Sequence, residues 1–192
     1  MASHSEIEIK FRVENVGALN RRLRQSGFRL VTRRTREMNT LYDLPGQLLR
    51  KRGHLLRLRR YGPEWVLTHK AKGKAGRHKT RAETETKIAD GASMEAILRA
   101  LGLAPTFRYE KFRAEWSDGT GHVVVDETPI GNFGEVEGPS RWIDRTAQFL
   151  QIRQSDYITA TYADLFFQWK KQSGSPANEM TFTAIQRKTR RR

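Results

Sequence analysis

The feature that most constrains this chain is a period-two alternation of charged and apolar residues that returns again and again. Glu6-Ile7-Glu8-Ile9-Lys10-Phe11 puts Glu6, Glu8 and Lys10 on one face of an extended segment and Ile7, Ile9 and Phe11 on the other. Leu56-Arg57-Leu58-Arg59 alternates in the same way, as do Arg81-Ala82-Glu83-Thr84-Glu85-Thr86-Lys87, Lys111-Phe112-Arg113 and Phe133-Gly134-Glu135-Val136-Glu137. Trp65 to Lys70 continues as a strand with Lys70 on the Thr68 side, and Val123-Val124-Val125-Asp126 ends an apolar strand with a carboxylate. One such segment is an ordinary strand with a solvated face. Repetition points to a sheet with one charged and one apolar surface. In a closed sheet alternate residues point inward. With the charged faces inward, the lumen would collect seven acids and seven bases. An unpaired buried charge costs several kcal/mol. Such a lumen must be wet, internally paired or completed by a ligand, and the apolar faces must lie outside, under helices.

The punctuation between strands fits this picture. Tyr61-Gly62-Pro63 and Asp118-Gly119 predict hairpin turns. Asn15 is placed to cap a helix running to about Ser26, with Val16, Leu19 and Leu23 inward and Gly27 as its stop. Ser93 is expected to cap a second helix ending at Gly102, with Met94, Ile97, Leu98 and Leu101 on one stripe. Two more helices are expected at about 140–152 and 155–171, the last with Ile158, Tyr162, Leu165 and Trp169 as a core stripe. These elements make an α+β chain of seven or eight mostly antiparallel strands. The spread of Trp65, Trp116, Trp142 and Trp169 over separate elements favours packing over base stacking, and His69, next to Lys70, is expected to face away from the lumen.

Composition narrows the chemistry. A length of 192 residues favours one domain. The absence of cysteine excludes disulfides, thiolate metal sites and a Cys nucleophile. No apolar run is long enough for a signal peptide or membrane span, so a cytoplasmic protein is expected. The formal charge is +15, of which +6 lies from Lys170 onward. Residues 172–192 read as a basic, disordered tail available to nucleic acid or acidic surfaces, and residues 1–171 as the folded domain. A non-catalytic polyanion-binding module is one reading of the surplus; it would show binding that falls steeply with salt.

The charged faces favour an enzyme. Arg and Lys form charge-assisted bonds to phosphate oxygens. Paired carboxylates suit Mg²⁺ or Mn²⁺, which prefer hard oxygen ligands. Bases for phosphate together with acids for metal is the division that phosphoryl or nucleotidyl transfer needs. No Gly-x-x-x-x-Gly-Lys loop is present, and Gly73 and Gly76 read as a flexible hairpin tip.

Glu6-Ile7-Glu8-Ile9-Lys10 resembles the Glu-x-Glu-x-Lys signature of the CYTH superfamily, the triphosphate tunnel metalloenzymes. Later blocks follow in the family's order: Leu41 to Pro45, Leu55 to Arg59, Thr68 to Lys70, Arg81 to Glu85, Tyr109 to Arg113, Val125-Asp126 and Gly131 to Gly138. Thr161-Tyr162 is similar to the family's Ser-Tyr pair, with Thr in place of Ser. The resemblance covers about residues 4–170. It implies an eight-stranded antiparallel closed β-barrel, a triphosphate tunnel, with helices packed outside. It further implies that Lys10, Arg57, Arg59, Lys70, Arg81, Lys111 and Arg113 grip a triphosphate. Glu6, Glu8, Glu83, Glu85, Asp126, Glu135 and Glu137 would hold metal, Mg²⁺ or Mn²⁺. Lys10, Arg57, Arg59, Lys70, Glu135 and Glu137 are the expected catalytic set. The blocks look most like the class IV adenylyl cyclases, which make cyclic AMP and pyrophosphate from ATP; this implies a homodimer. Hydrolysis of inorganic tripolyphosphate or thiamine triphosphate is the alternative the family offers.

Overall fold

A computed structural model describes residues 4–74 and 76–186. Eight strands form a closed barrel: β1 (His4–Arg12), β2 (Arg29–Asp43), β3 (Leu55–Tyr61), β4 (Glu64–Lys70), β5 (Lys79–Ile88), β6 (Ala104–Ser117), β7 (His122–Thr128) and β8 (Gly131–Glu137). Their order around the barrel is β1-β5-β4-β3-β2-β6-β7-β8, and every neighbouring pair is antiparallel. The circle closes where β1 meets β8, with Glu8 opposite Glu137, Lys10 opposite Glu135 and Phe11 opposite Gly134. Gly134 is required at that seam. A Cβ there would stand 2.2 Å from the Phe11 ring, so any side chain would displace the aromatic that packs the closure.

The outer, apolar faces are covered as the alternation demands. α1 (Val16–Gln25) and α4 (Ser140–Phe149) pack over one side, burying Leu23, Trp142 and Ile143 against Ile9, Phe11, Trp116 and Val123. α5 (Tyr162–Ser173) lays Leu165 and Phe166 on Phe107, Tyr109 and Phe133. α3 (Gly91–Ala100) sets Leu98 against Tyr42 and Leu58. A short helix, α2 (Leu48–Lys51), connects β2 to β3.

Local rules explain the departures from the expected elements. Asn15 caps α1 as expected, accepting from the Ala18 amide at 2.9 Å. α3 is capped by Asp90 instead of Ser93; the Ser93 amide is one of the donors, at 2.7 Å to Asp90 Oδ2. The helix expected from Ser155 begins at Tyr162. Residues 154–156 form a 3₁₀ turn, Ile158 bridges the end of β1 through its amide to the Lys10 carbonyl at 2.8 Å, and the helix starts only where Thr161 and Asp164 close a capping box. β2 was not marked by alternation, because its first half is exposed on both faces.

The solvated tail expected from residue 172 does not describe residues 172–186. α5 runs to Ser173, and Ser175, Ala177 and Met180 are buried beyond it. Met180 pairs with the outer edge of β6 by two backbone bonds, from its amide to the Arg108 carbonyl at 3.0 Å and from the Glu110 amide to its carbonyl at 2.9 Å. α6 (Phe182–Gln186) follows, with Phe182 tilted on Phe112 at 5.3 Å between ring centroids. Two apolar anchors and paired backbone groups outweigh the polar composition that made this stretch read as linker. Residues 187–192, the basic end of that expected tail, lie outside the described residues. No helix among the described residues is long and apolar enough to cross a membrane.

Candidate active site

The lumen is a cavity of about 460 Å³, and thirteen of the fourteen charged residues assigned to it by alternation line its wall. The fourteenth, Asp126, is fully buried just behind, bonded to Lys111 at 2.9 Å and to Arg113 at 2.7 Å. The period-two reading therefore places every assigned side chain on the inner side of its strand.

These charges are extensively paired. Lys10 meets Glu135 at 3.2 Å, and Arg113 bridges Glu135 at 2.6 Å and Asp126. Lys70 is held by Glu6 at 2.6 Å and Glu83 at 2.8 Å. Arg59 is bonded to Glu85 at 3.0 Å, and Arg57 donates to Thr68 Oγ1 at 3.2 Å with Glu83 at 3.9 Å. Arg81 instead turns to backbone, donating to the carbonyls of Ala71 and Gly53. Its expected grip on phosphate would require leaving those carbonyls.

Burial and neighbours set the protonation states. Burial alone would depress the Lys10 ammonium, but Glu135 and Glu8 reverse this and hold its pKa above the ordinary value. Burial would raise the Glu135 carboxyl; Lys10, Arg113 and Lys111 pull it well below the usual range. Glu137 goes the other way. Burial, with repulsion from Glu135, Glu8 and Glu6, pushes it up to about 8. The polar network is incomplete on its own: Arg57 Nε, Arg59 Nε, Glu37 Oε2 and Asn39 Oδ1 are buried without hydrogen-bond partners.

One group of carboxylates is arranged for a cation. Oxygens of Glu6, Glu8 and Glu137 lie within 4.8 Å of one another. The donor set is hard oxygen, and burial together with repulsion from neighbouring carboxylates holds the Glu137 pKa above its usual range. The residues present thus fit a divalent ion. Glu6 and Glu8 are also paired, with Lys70 and Lys79, and the other four carboxylates expected to bind metal, Glu83, Glu85, Asp126 and Glu135, are engaged by Lys70, Arg59, Lys111 and Arg113, and Lys10, respectively.

Several lumen residues escaped the sequence reading. Lys79 lies two residues before Arg81 on the same face and pairs with Glu8 at 2.7 Å; the alternation extends to it. Glu115 continues the face of Arg113, and its carboxylate accepts from the Tyr61 hydroxyl at 3.1 Å. Glu37 is fully buried between Lys111 at 3.5 Å and Arg113 at 3.8 Å. Tyr162, read as core, closes one side of the lumen. Its hydroxyl donates to Asp126 Oδ2 at 2.6 Å, and Lys10 and Lys111 stand 4.5 and 4.7 Å from its ring centre. Burial and the Asp126 charge hold that hydroxyl's pKa well above its usual value. His69 lies away from the lumen cavity, its Nε2 3.0 Å from His54 Nδ1.

A second cavity of about 430 Å³ adjoins the first. The two share Leu41, Leu55, Lys79, Arg81, Thr161 and Ala163 in their walls. The second adds apolar surface from Leu56, Phe107 and Phe167, with His54 and Arg50 at its polar side.

Comparison with known proteins agrees with this geometry. A candidate adenylate cyclase from Vibrio parahaemolyticus superposes with a TM-score of 0.76 at 22% identity, over 86% of this chain and 99% of that one. A Pyrococcus horikoshii protein gives 0.71 at 21% identity, over 83% and 98%. A candidate adenylyl cyclase from Hippeastrum, with a dominant triphosphatase activity, gives 0.62 at 21% identity, over 85% and 95%. At these identities the likeness is one of fold. No curated protein sequence matches the chain. The model of the CYTH domain matches residues 4–164, from the first strand through the Thr161 cap of α5, and on that match the chain belongs to the CYTH domain family.

Proposed function

We propose that this protein is a divalent-metal-dependent enzyme that acts on a triphosphate inside the barrel, and that its reaction is the cyclisation of ATP to cyclic AMP and pyrophosphate. The observation that carries the reading is the segregation of charge in the lumen: a three-carboxylate cluster at Glu6, Glu8 and Glu137 beside walls of Lys and Arg. An ion of Mg²⁺ or Mn²⁺ held by that cluster would supply charge neutralisation at the phosphate oxygens. Lys10, Arg57, Arg59, Lys70, Lys111 and Arg113 supply the remaining positive charge, from buried and half-buried positions on the cavity wall. Glu83, Glu85, Asp126 and Glu135 hold those cations in position. Lys79, at the junction of the two cavities, joins the set that meets phosphate.

In cyclisation the ribose 3′ oxygen attacks the α-phosphorus, loses its proton and displaces pyrophosphate. The adjoining apolar cavity supports a substrate with an organic part, since a bare tripolyphosphate has nothing to place there. Hydrolysis at a terminal phosphorus, of tripolyphosphate or thiamine triphosphate, is the second reading; the fold likeness to a protein with dominant triphosphatase activity favours it. Purified protein incubated with ATP, and separately with tripolyphosphate, in Mg²⁺ or Mn²⁺ separates the two. Cyclic AMP and pyrophosphate in equal amounts are expected from ATP. Phosphate release from tripolyphosphate with no cyclic AMP from ATP would replace the first reading by the second.

A further inference from the structure

The lumen does not account for the charge of this molecule, because its acids and bases offset each other. The surplus lies elsewhere. Residues 12–36 contain eight arginines, no lysine and a single carboxylate, Glu14. All eight arginines are exposed. They occupy the end of β1, the helix α1 and the first half of β2.

Arg24, Arg34 and Arg36 share a surface. Arg24 of α1 lies over the Trp116 ring at 5.6 Å, and Arg34 of β2 over the Phe112 ring at 3.6 Å. Phe112 and Trp116 are four residues apart on β6 and alternate with lumen-facing Lys111, Arg113 and Glu115, so both face outward, about 13 Å apart. Trp116 is the strand partner of Leu30 and Phe112 that of Arg36. Arg24, Arg34 and Arg36 thus border one outer face, and Arg29 and Arg33 are exposed along the same half of β2. That face ends in an open edge: β2 pairs with β3 only from Glu37 onward, and before it β2 is paired with β6 alone.

Few of these charges are neutralised. Arg34 is paired with Glu127 and Arg36 with Glu110. Arg22 donates to the Leu150 carbonyl. Arg21, Arg24, Arg29 and Arg33 have no ion pair among the described residues. Crowded guanidinium groups repel one another, and their forked donors match phosphate oxygens. The unpaired amides of an edge strand add donors of the kind that contact phosphate. Among the described residues of this face Phe28 and Trp116 are buried, and the half-buried Phe112 ring is covered by Arg34 and Phe182, which leaves little for stacking on bases.

We infer that the α1–β2 face binds the phosphate backbone of a nucleic-acid duplex, without reading its sequence, as a function separate from the tunnel. The test is a titration of the full chain against a short DNA duplex of arbitrary sequence over a range of salt. Binding is expected, with an affinity that falls steeply as salt rises. The variant carrying Arg21→Gln, Arg24→Gln, Arg29→Gln and Arg33→Gln should lose at least tenfold in affinity and about three to four from the log–log salt slope. The corresponding Lys variant should recover most of the slope, and triphosphate turnover, or analogue binding in the lumen, should be unchanged in both. Three results would overturn the inference: no duplex binding by the full chain; binding of anionic phospholipid vesicles in place of the duplex; or loss of duplex binding on neutralising the basic residues of 187–192 with none on neutralising the face.

Discussion

Glu37 shows most sharply what a single charge does in this barrel. It is fully buried and accepts a hydrogen bond from the Asn39 side-chain amide at 3.0 Å. Burial would raise its pKa, but Lys111, Arg113 and Arg59 outweigh burial and bring it to about 2. A carboxyl depressed from 4.5 to about 2 contributes stability that is complete above about pH 4.5 and is lost as pH falls toward 2. The shift corresponds to roughly 3 kcal/mol. Glu37→Gln should therefore lower stability by about that amount at pH 7, with the gap from wild type closing between pH 4.5 and 2; urea unfolding at both ends of that range measures it. Glu135 carries a different burden, standing between Lys10 and Arg113. Truncation would take the carboxylate partner from buried Lys10 and leave Arg113 to Asp126 and Glu37, at a cost of several kcal/mol, so Glu135→Gln is the cleaner probe of function. Under the proposed function, that variant and Arg57→Ala should each lose at least a hundredfold in turnover while retaining native near-UV circular dichroism. Full activity in either would contradict the assigned roles.

At the scale of elements, α5 is tied to the tunnel by its first turn. Thr161 and Asp164 fix where it begins, and Tyr162 then projects from it to Asp126. Tyr162→Phe keeps the ring beneath Lys10 and Lys111 and removes only a buried bond to a charged acceptor, so it should cost about 1.5–3 kcal/mol, read as a lower urea midpoint at unchanged slope. The sequence alone would not single out this contact, because Tyr162 also falls at helical spacing with Leu165 and Trp169. The strands are legible for a simple reason. β1, β3, β5 and β8 have one charged and one apolar face, so period two marks both the element and the side that enters the lumen. β2 hides because its first half is an exposed edge with arginines on both sides, and Glu37 hides with it. Residues 174–186 hide because the contacts that fix them, Met180 to β6 and Phe182 to Phe112, are distant in the chain and leave no periodic trace. The three-carboxylate cluster is legible as residue types. That Glu6, Glu8 and Glu137 converge while Glu83, Glu85, Asp126 and Glu135 turn to cations depends on register between strands, which no local pattern contains.

At the scale of the whole molecule, the lumen groups suited to a ligand are paired with one another. Glu6 holds Lys70 and Glu8 holds Lys79, so the carboxylates suited to metal are the partners of cations suited to phosphate. A divalent ion bound alone would draw Glu6 and Glu8 away, leaving Lys70 with Glu83 and taking from Lys79 its carboxylate partner. A triphosphate bound alone would draw the lysines away and leave three carboxylates facing one another, with Glu137 already pushed up to about 8 by burial and by repulsion from Glu135, Glu8 and Glu6. Each ligand bound singly thus breaks ion pairs that the other would replace, and the two must bind synergistically. Thermal melts test this. A non-hydrolysable triphosphate analogue and Mn²⁺ together, each at a hundred times its dissociation constant, should raise the melting temperature by about 10–20 °C. That rise should exceed the sum of the shifts produced by the analogue with chelator and by Mn²⁺ alone. In the Lys70→Met, Lys79→Met double variant the excess should shrink, because the carboxylates no longer have internal partners to exchange. Additive shifts in the wild type would mean that metal and phosphate occupy independent sites and that the paired lumen is no more than a structural core.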